Sequence, residues 1–143
     1  MLRITKLTDY AIVILSELAE RVPQYVSAAE LSKNTGIHIP TVSKLLKVLQ
    51  QQRLVLSHLG AEGGYQLAVP AKQISLAQII EALEGPIALT QCNLAHGKCE
   101  QETVCHVRPH WQRINQVILQ TLRGVPLSAI GTAMERTGLE GAV

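Results

Sequence analysis

A mainly α fold carrying one small β-hairpin is what this sequence predicts, and three observations predict it. Apolar residues make up 47% of the 143, yet Phe is absent and Trp occurs once, so the core has to be built from Leu, Ile, Val and Ala, a set that favours helix packing. Apolar positions recur at spacings of three and four through several separate stretches, each opened or closed by a capping or breaking residue. Around residues 54–69 that rhythm gives way to two short strand-like runs joined by a Gly-rich connection. A chain of this length forms one ordinary domain, or one small domain with an oligomerising appendage.

Taken in order, the first helix is expected over 8–20, with Ala11, Ile12, Ile14, Leu15 and Leu18 on its apolar face, Asp9 in its positive first turn and Pro23 beyond its end. Ser27-Ala-Ala-Glu30 has the form of a capping box and opens a short second helix that Asn34-Thr-Gly36 terminates. A third helix runs from near Pro40 to about Gln52. Val42, Leu45, Leu46 and Leu49 turn to the core, leaving Thr41, Ser43, Lys44 and Lys47 on the outer face. A short helix, a tight turn containing Gly and a helix with a polar, basic outer face make a helix-turn-helix. The runs 54–59 and 65–69, joined by Gly60-Ala-Glu-Gly-Gly64, then form a hairpin in the position of a wing.

Ser75-Leu-Ala-Gln78 is a second capping box, for a fourth helix carrying Ile79, Ile80 and Leu83 that stops at Gly85-Pro86. After Pro109 a longer helix extends to Gly124 with Trp111, Ile114, Val117 or Ile118, and Thr121 or Leu122 along one stripe. The first four helices and the wing suffice for the core of a small domain, so this stripe needs another surface. A second copy of the chain is the economical one, which makes Trp111, Ile114, Ile118 and Leu122 the expected homodimer interface; folding back on its own domain is the alternative. The organisation is therefore a winged helix-turn-helix domain over 1–85, a cysteine loop over 86–108, and a long C-terminal dimerisation helix with a tail helix over 109–137. The tail helix is expected over 128–136, and 138–143 form a disordered tail.

The net charge of +2 conceals an asymmetry. Residues 31–61 contain no Asp or Glu but carry Lys33, Lys44, Lys47, Arg53, His38 and His58. Such a face suits a polyanion, here double-stranded DNA with the third helix in the major groove and the wing along the backbone or minor groove. Thr41, Ser43 and Lys44 are expected nearest base edges or phosphates, and Lys47, Arg53 and His58 on phosphates. No apolar run approaches the roughly 20 residues that cross a bilayer, so no membrane partner and a cytoplasmic location are expected. No phosphate-cradling Gly loop or positioned catalytic acid is found, so no enzyme is expected.

Residues 92–110 hold all three cysteines, Cys92, Cys99 and Cys105, together with His96, His106 and His110. Thiolate and imidazole are ligands for soft or borderline metals, and three cysteines cannot all pair within one chain. Zinc and an iron-sulfur cluster both suit three Cys with a fourth ligand. Intervals of six and five intervening residues are looser than zinc-finger pairs. A thiol switch at Cys99 or Cys105, with no metal, uses the same residues.

Lys6-Leu-Thr-Asp-Tyr-Ala11, Gly36-Ile-His-Ile-Pro-Thr-Val-Ser-Lys-Leu-Leu46, Gly60-Ala-Glu-Gly-Gly-Tyr-Gln-Leu67 and three close cysteines before a Trp-led helix together resemble the winged-helix iron-sulfur regulators of the IscR type. The resemblance covers most of the chain, and Cys105-His-Val-Arg-Pro-His-Trp-Gln-Arg-Ile-Asn115 is most similar to regulators of the Suf cluster-assembly system. It implies a homodimer on a partly palindromic operator, and a cluster on Cys92, Cys99 and Cys105, 2Fe-2S in preference to 4Fe-4S. Two positions depart from the family pattern. Arg108 stands three residues after the last cysteine, where the best-known cluster regulators place a His ligand, so the fourth ligand falls among His106, His110, His96 and Asp9, the last donated by a partner subunit. The wing carries Leu59 beside His58, where relatives often place an Arg for the minor groove.

Overall fold

The computed structural model describes residues 3–130. Helix α1 (Lys6–Arg21) begins two residues ahead of the expected start, because Thr5 supplies the cap: its hydroxyl accepts from Thr8 N at 3.3 Å. Helix α2 (Ala28–Thr35) is capped by Ser27, whose hydroxyl accepts from Glu30 N at 3.1 Å, and is closed by Gly36 at φ +74°. Only half of the expected capping box forms there. The Glu30 carboxylate turns away to Arg21 at 3.1 Å, a cation already paired with Glu17 at 3.3 Å, and so staples α2 to the end of α1. Helix α3 (Ile39–Gln51) follows with Pro40 in its first turn.

Strands β1 (Val55–His58) and β2 (Gly64–Leu67) pair antiparallel, with Val55 opposite Leu67 and His58 opposite Gly64. The Gly-rich connection has a steric reason. A Cβ on Gly63 would lie 2.1 Å from the His58 carbonyl oxygen, and one on Gly64 would lie 2.6 Å from the Val26 carbonyl. That close approach lets Val26 and Tyr65 exchange two backbone hydrogen bonds of 2.9 and 2.8 Å, which pin the hairpin to the turn between α1 and α2. Helix α4 (Leu76–Glu84) carries the complete capping box expected of Ser75 and Gln78. Helices α5 (Arg108–Arg123) and α6 (Leu127–Ile130) end the described chain.

The core gathers Ile14, Leu15 and Leu18 from α1, Leu31 from α2, and Val42, Leu45, Leu46 and Leu49 from α3, with Ile74 and Ile79 closing one side. The expectation that four helices and the wing complete this core is corrected by Leu127, which is 1% exposed within it. After α5 the chain returns to the first domain: Leu127 N donates to Ile74 O at 2.7 Å and Leu76 N donates to Val125 O at 2.9 Å. The helix expected over 128–136 coincides with α6 in its first three residues; the remainder, and the tail from 138, lie outside the described residues.

Glu84 couples the two ends of this domain. Its Oε1 accepts from the Thr8 hydroxyl, which is fully buried, and from Thr5 N at 2.8 Å. These donors, the Thr8 hydroxyl first and the Thr5 amide next, hold the carboxyl below the usual carboxylate range. A depressed folded-state value means the carboxylate's contribution is complete above the ordinary Glu range and is lost as pH falls through the lowered value. Urea unfolding of the parent and of Glu84→Gln, followed from neutral pH downward, is expected to show the parent losing more stability in acid than the variant. Parallel acid limbs would contradict this role.

Candidate nucleic-acid interface and cysteine loop

On α3 Val42, Leu45, Leu46 and Leu49 are at most 1% exposed, so the helix is fixed in rotation and its opposite face is committed to solvent. Ser43, Lys44 and Lys47 lie on that open face and Thr41 is half-buried at its edge. Among the described residues none of Lys44, Lys47 and Arg53 has an ion-pair partner, which leaves their charges available to an outside anion. Arg53 follows the end of α3 in the left-handed region, at φ +60°. Arg53 N donates to Gln50 O at 3.0 Å and Leu54 N to Leu49 O at 2.9 Å, the nested pair of a Schellman motif, with Arg where Gly is usual. The Gln50 side chain reaches Ser57 at 2.9 Å, tying the end of α3 to β1.

His58 is exposed but not loose. Its ring stacks on Tyr25 with centroids 4.9 Å apart and planes 28° from parallel, while the Tyr25 hydroxyl accepts from Gln66 Nε2 at 3.0 Å. Beside it, Leu59 is 92% exposed at the wing tip. The residues expected to meet DNA therefore fall on α3, on the turn after it and on the wing strand that the turn feeds.

Between α4 and α5 the only regular piece is a single 3-10 turn, Gln91–Asn93. Cys92, Cys99 and Cys105 are free thiols, each half-buried, and His96, His106 and His110 are exposed, as is Asp9 on α1. Among the described residues no three Cys, His, Asp or Glu side chains are gathered closely enough to hold a metal ion. The donor set still fits a cluster chemically: three unpaired thiols sit on a segment that, apart from the 3-10 turn holding Cys92, is neither helix nor strand. One sulfur already has a polar neighbour, since the Thr90 hydroxyl lies 3.0 Å from Cys92 Sγ. Asn93 Nδ2 donates to that hydroxyl oxygen at 2.7 Å, leaving the hydroxyl hydrogen free to point at the sulfur.

Arg108 opens α5 and pairs with Glu102 at 2.6 Å across the loop, while its Nε is buried without an acceptor among the described residues. A protonated guanidinium offers no lone pair to a metal, so this position braces the loop electrostatically. Helix α5 packs one side on α4 and on the 3-10 turn. Its expected apolar stripe is left largely open, with Trp111 41%, Ile114 45% and Val117 56% exposed, and Ile118 and Leu122 half-buried. The buried position at mid-helix is instead Asn115, 5% exposed, whose Oδ1 accepts from Leu89 N at 2.9 Å. Nothing local in the sequence marks Thr90 or Asn93, and a poor helix former at mid-helix is the one sign that points to Asn115.

An exposed basic helix held beside a hairpin by a shared core defines a winged-helix DNA-binding protein, with a cysteine loop leading into a long helix as its second feature. The chain belongs to the Rrf2 family: the model described as "Iron-dependent Transcriptional regulator" matches residues 4–132. It is 31% identical to Protein rrf2 of Nitratidesulfovibrio vulgaris over 105 residues, 73% of this chain and 70% of that one. Among solved structures it is similar to CymR, the global cysteine regulator of B. subtilis, with a TM-score of 0.72 and 26% identity over 92% of this chain and 97% of CymR. It is also similar to T. potens IscR, with a TM-score of 0.66 and 25% identity over 90% of this chain and 85% of that one. The chain is thus a transcriptional regulator of the IscR and Rrf2 type, in a family that regulates through DNA and is not enzymatic. No helix among the described residues is long and apolar enough to cross a membrane.

Proposed function

We propose that this regulator senses an iron-sulfur cluster on Cys92, Cys99 and Cys105 and controls genes of cluster assembly, with cluster occupancy altering operator choice. The observation that carries the reading is three free thiols on the segment that joins the DNA-binding domain to α5, in a chain of an iron-dependent family. A bound cluster supplies a reversible response to iron supply, oxygen, nitric oxide or assembly demand. The fourth ligand comes from His106, His110, His96 or Asp9, since Arg108 is committed to Glu102. A 2Fe-2S cluster is favoured over 4Fe-4S.

The remaining steps belong to the protein. Trp111, Ile114, Ile118 and Leu122 of α5 meet the same stripe on a second copy, giving a homodimer that sets two α3 helices on a partly palindromic operator. Gathering the three cysteines shortens the loop and fixes the angle between α5 and the winged domain, and one of the two arrangements matches the half-site spacing. Thr41, Ser43 and Lys44 approach base edges or phosphates, and Lys47, Arg53 and His58 approach phosphates.

The left-handed backbone at Arg53 supports a role outside folding, because an L residue there costs roughly 1 kcal/mol relative to Gly. Arg53→Gly is expected to raise the urea midpoint by the equivalent of about 1 kcal/mol while weakening DNA binding. A variant that is no more stable, or that binds DNA as the parent does, contradicts the assignment.

A second reading is a cluster-free thiol-based regulator, favoured by the likeness to CymR and by the separated positions of the thiols, with a zinc-dependent regulator on the same residues as its metal-bound variant. Cluster-loaded and cluster-free protein, compared on a Suf or Isc promoter and on random DNA, separate these readings. Promoter preference that changes with the cluster supports the first. Colourless, iron-free protein with the same DNA response supports the second.

A further inference from the structure

We propose that Thr90 and Asn115 form a hydrogen-bond-donating seat for sulfur at Cys92, and that Asn115 carries the state of that seat to α5. The proposal rests on the cluster reading and adds the residues that tune and transmit it. Cys92 opens onto a cleft of about 330 Å³ whose other walls are Asn93, Gln112, Asn115 and Gln116. One thiol and four carboxamides line it, with no carboxylate and no cation among them.

Which end of the Asn115 carboxamide faces the cleft follows from its partner. The Leu89 amide can only donate, so at 2.9 Å it takes the oxygen and leaves the NH2. That NH2 has no acceptor among the described residues and belongs to a side chain that lines the cleft. It is free to donate to an acceptor that enters there. Cysteine thiolate and inorganic sulfide are such acceptors, and the Thr90 hydroxyl, 3.0 Å from Cys92 Sγ with Asn93 polarising it, already has the geometry of a donor to sulfur.

Hydrogen bonds to the sulfurs of a cluster stabilise its more negative, reduced form and raise its reduction potential. The same Asn115 group holds Leu89, three residues before Cys92, so one rigid amide touches the loop entrance, the sulfur cleft and the middle of α5. Asn115 is a positioning residue on this account.

The test uses the full chain, reconstituted anaerobically with iron and sulfide. Asn115→Asp keeps an oxygen for Leu89 N and nearly the same shape but replaces the donor with a charged acceptor, so it is read beside the uncharged Thr90 variants, which isolate the hydrogen bond from the charge. Its cluster is expected to show a midpoint potential lower by at least a tenfold change in the reduced-to-oxidised ratio, about 59 mV for one electron. Its operator preference should also differ less between cluster-loaded and cluster-free protein. Thr90→Val is expected to shift the potential in the same direction, and Thr90→Ser to restore it. A role confined to packing would change the melting temperature and leave the potential where it was. If Asn115→Asp takes up no cluster, the Thr90 pair decides: a potential lowered by Val and restored by Ser supports the seat, and parent values in both overturn it. Parent potentials in Asn115→Asp and Thr90→Val overturn the seat while leaving the cluster reading intact. A parent chain that takes up no iron or sulfide removes the cluster reading itself before any variant is compared.

Discussion

Leu127→Ala is expected to lower the stability of the folded chain by about 3 kcal/mol, within the range of roughly 2–5 for a buried Leu that leaves a cavity. The side chain is 1% exposed and stands in the core with residues from α1 and α3, far from it in sequence. Its backbone amide is held by Ile74 O, and the neighbouring Val125 carbonyl holds Leu76 at the start of α4, so the truncation also loosens the return of the chain from α5. Against a typical total of about 5–15 kcal/mol, this is a large fraction. Urea unfolding should show a lower midpoint with an unchanged slope. Leu59→Ala, at a residue 92% exposed, should stay within about 0.5 kcal/mol of the parent. Equal midpoints for the two variants would mean that the segment after α5 contributes nothing to the core.

The second large effect is on DNA. Lys44 and Lys47 are exposed on α3 and unpaired among the described residues, so neither loses an intramolecular partner when truncated. At about 1.5 kcal/mol for each charge-assisted contact, the double variant Lys44→Ala, Lys47→Ala is expected to bind operator DNA about a hundredfold more weakly. The slope of log affinity against log salt should flatten by about 1.8. Lys47→Ala alone should weaken operator and random DNA alike, because a phosphate contact carries no sequence information. A Lys47→Ala variant that loses only operator binding would move that lysine from the phosphate to a base edge. Salt-dependent binding of the parent and the two variants on both DNAs measures all of this.

Much of the fold was legible because its signals are local. Thr, Ser and Gly at helix ends act through hydrogen bonds three to five residues away. That is why Ser27, Gly36 and the Ser75–Gln78 box mark boundaries that the structure keeps. The glycines at 63 and 64 announced the hairpin for a steric reason that the Val26 carbonyl makes concrete. What escaped depends on partners distant in sequence. Glu30 had the spacing for its own helix start, yet Arg21 attracts it more strongly than a single amide does. Leu127 belongs to a run too short to show periodicity, and only the return of the chain from α5 puts it in the core. At the cysteine loop the residue types suggested the chemistry, while Thr90 and Asn115 emerge only once the 3-10 turn is laid against α5. Spacing along a loop does not fix distances across it, so three cysteines within fourteen residues are not yet a gathered site.

The most direct measurement compares the parent with a variant in which Cys92, Cys99 and Cys105 are all Ser, both prepared anaerobically and assayed for iron, sulfide and promoter choice. The account predicts a brown parent with stoichiometric iron and sulfide, and a colourless variant whose preference among promoters has shifted. An iron-free parent that selects the same promoters as the triple variant would contradict it.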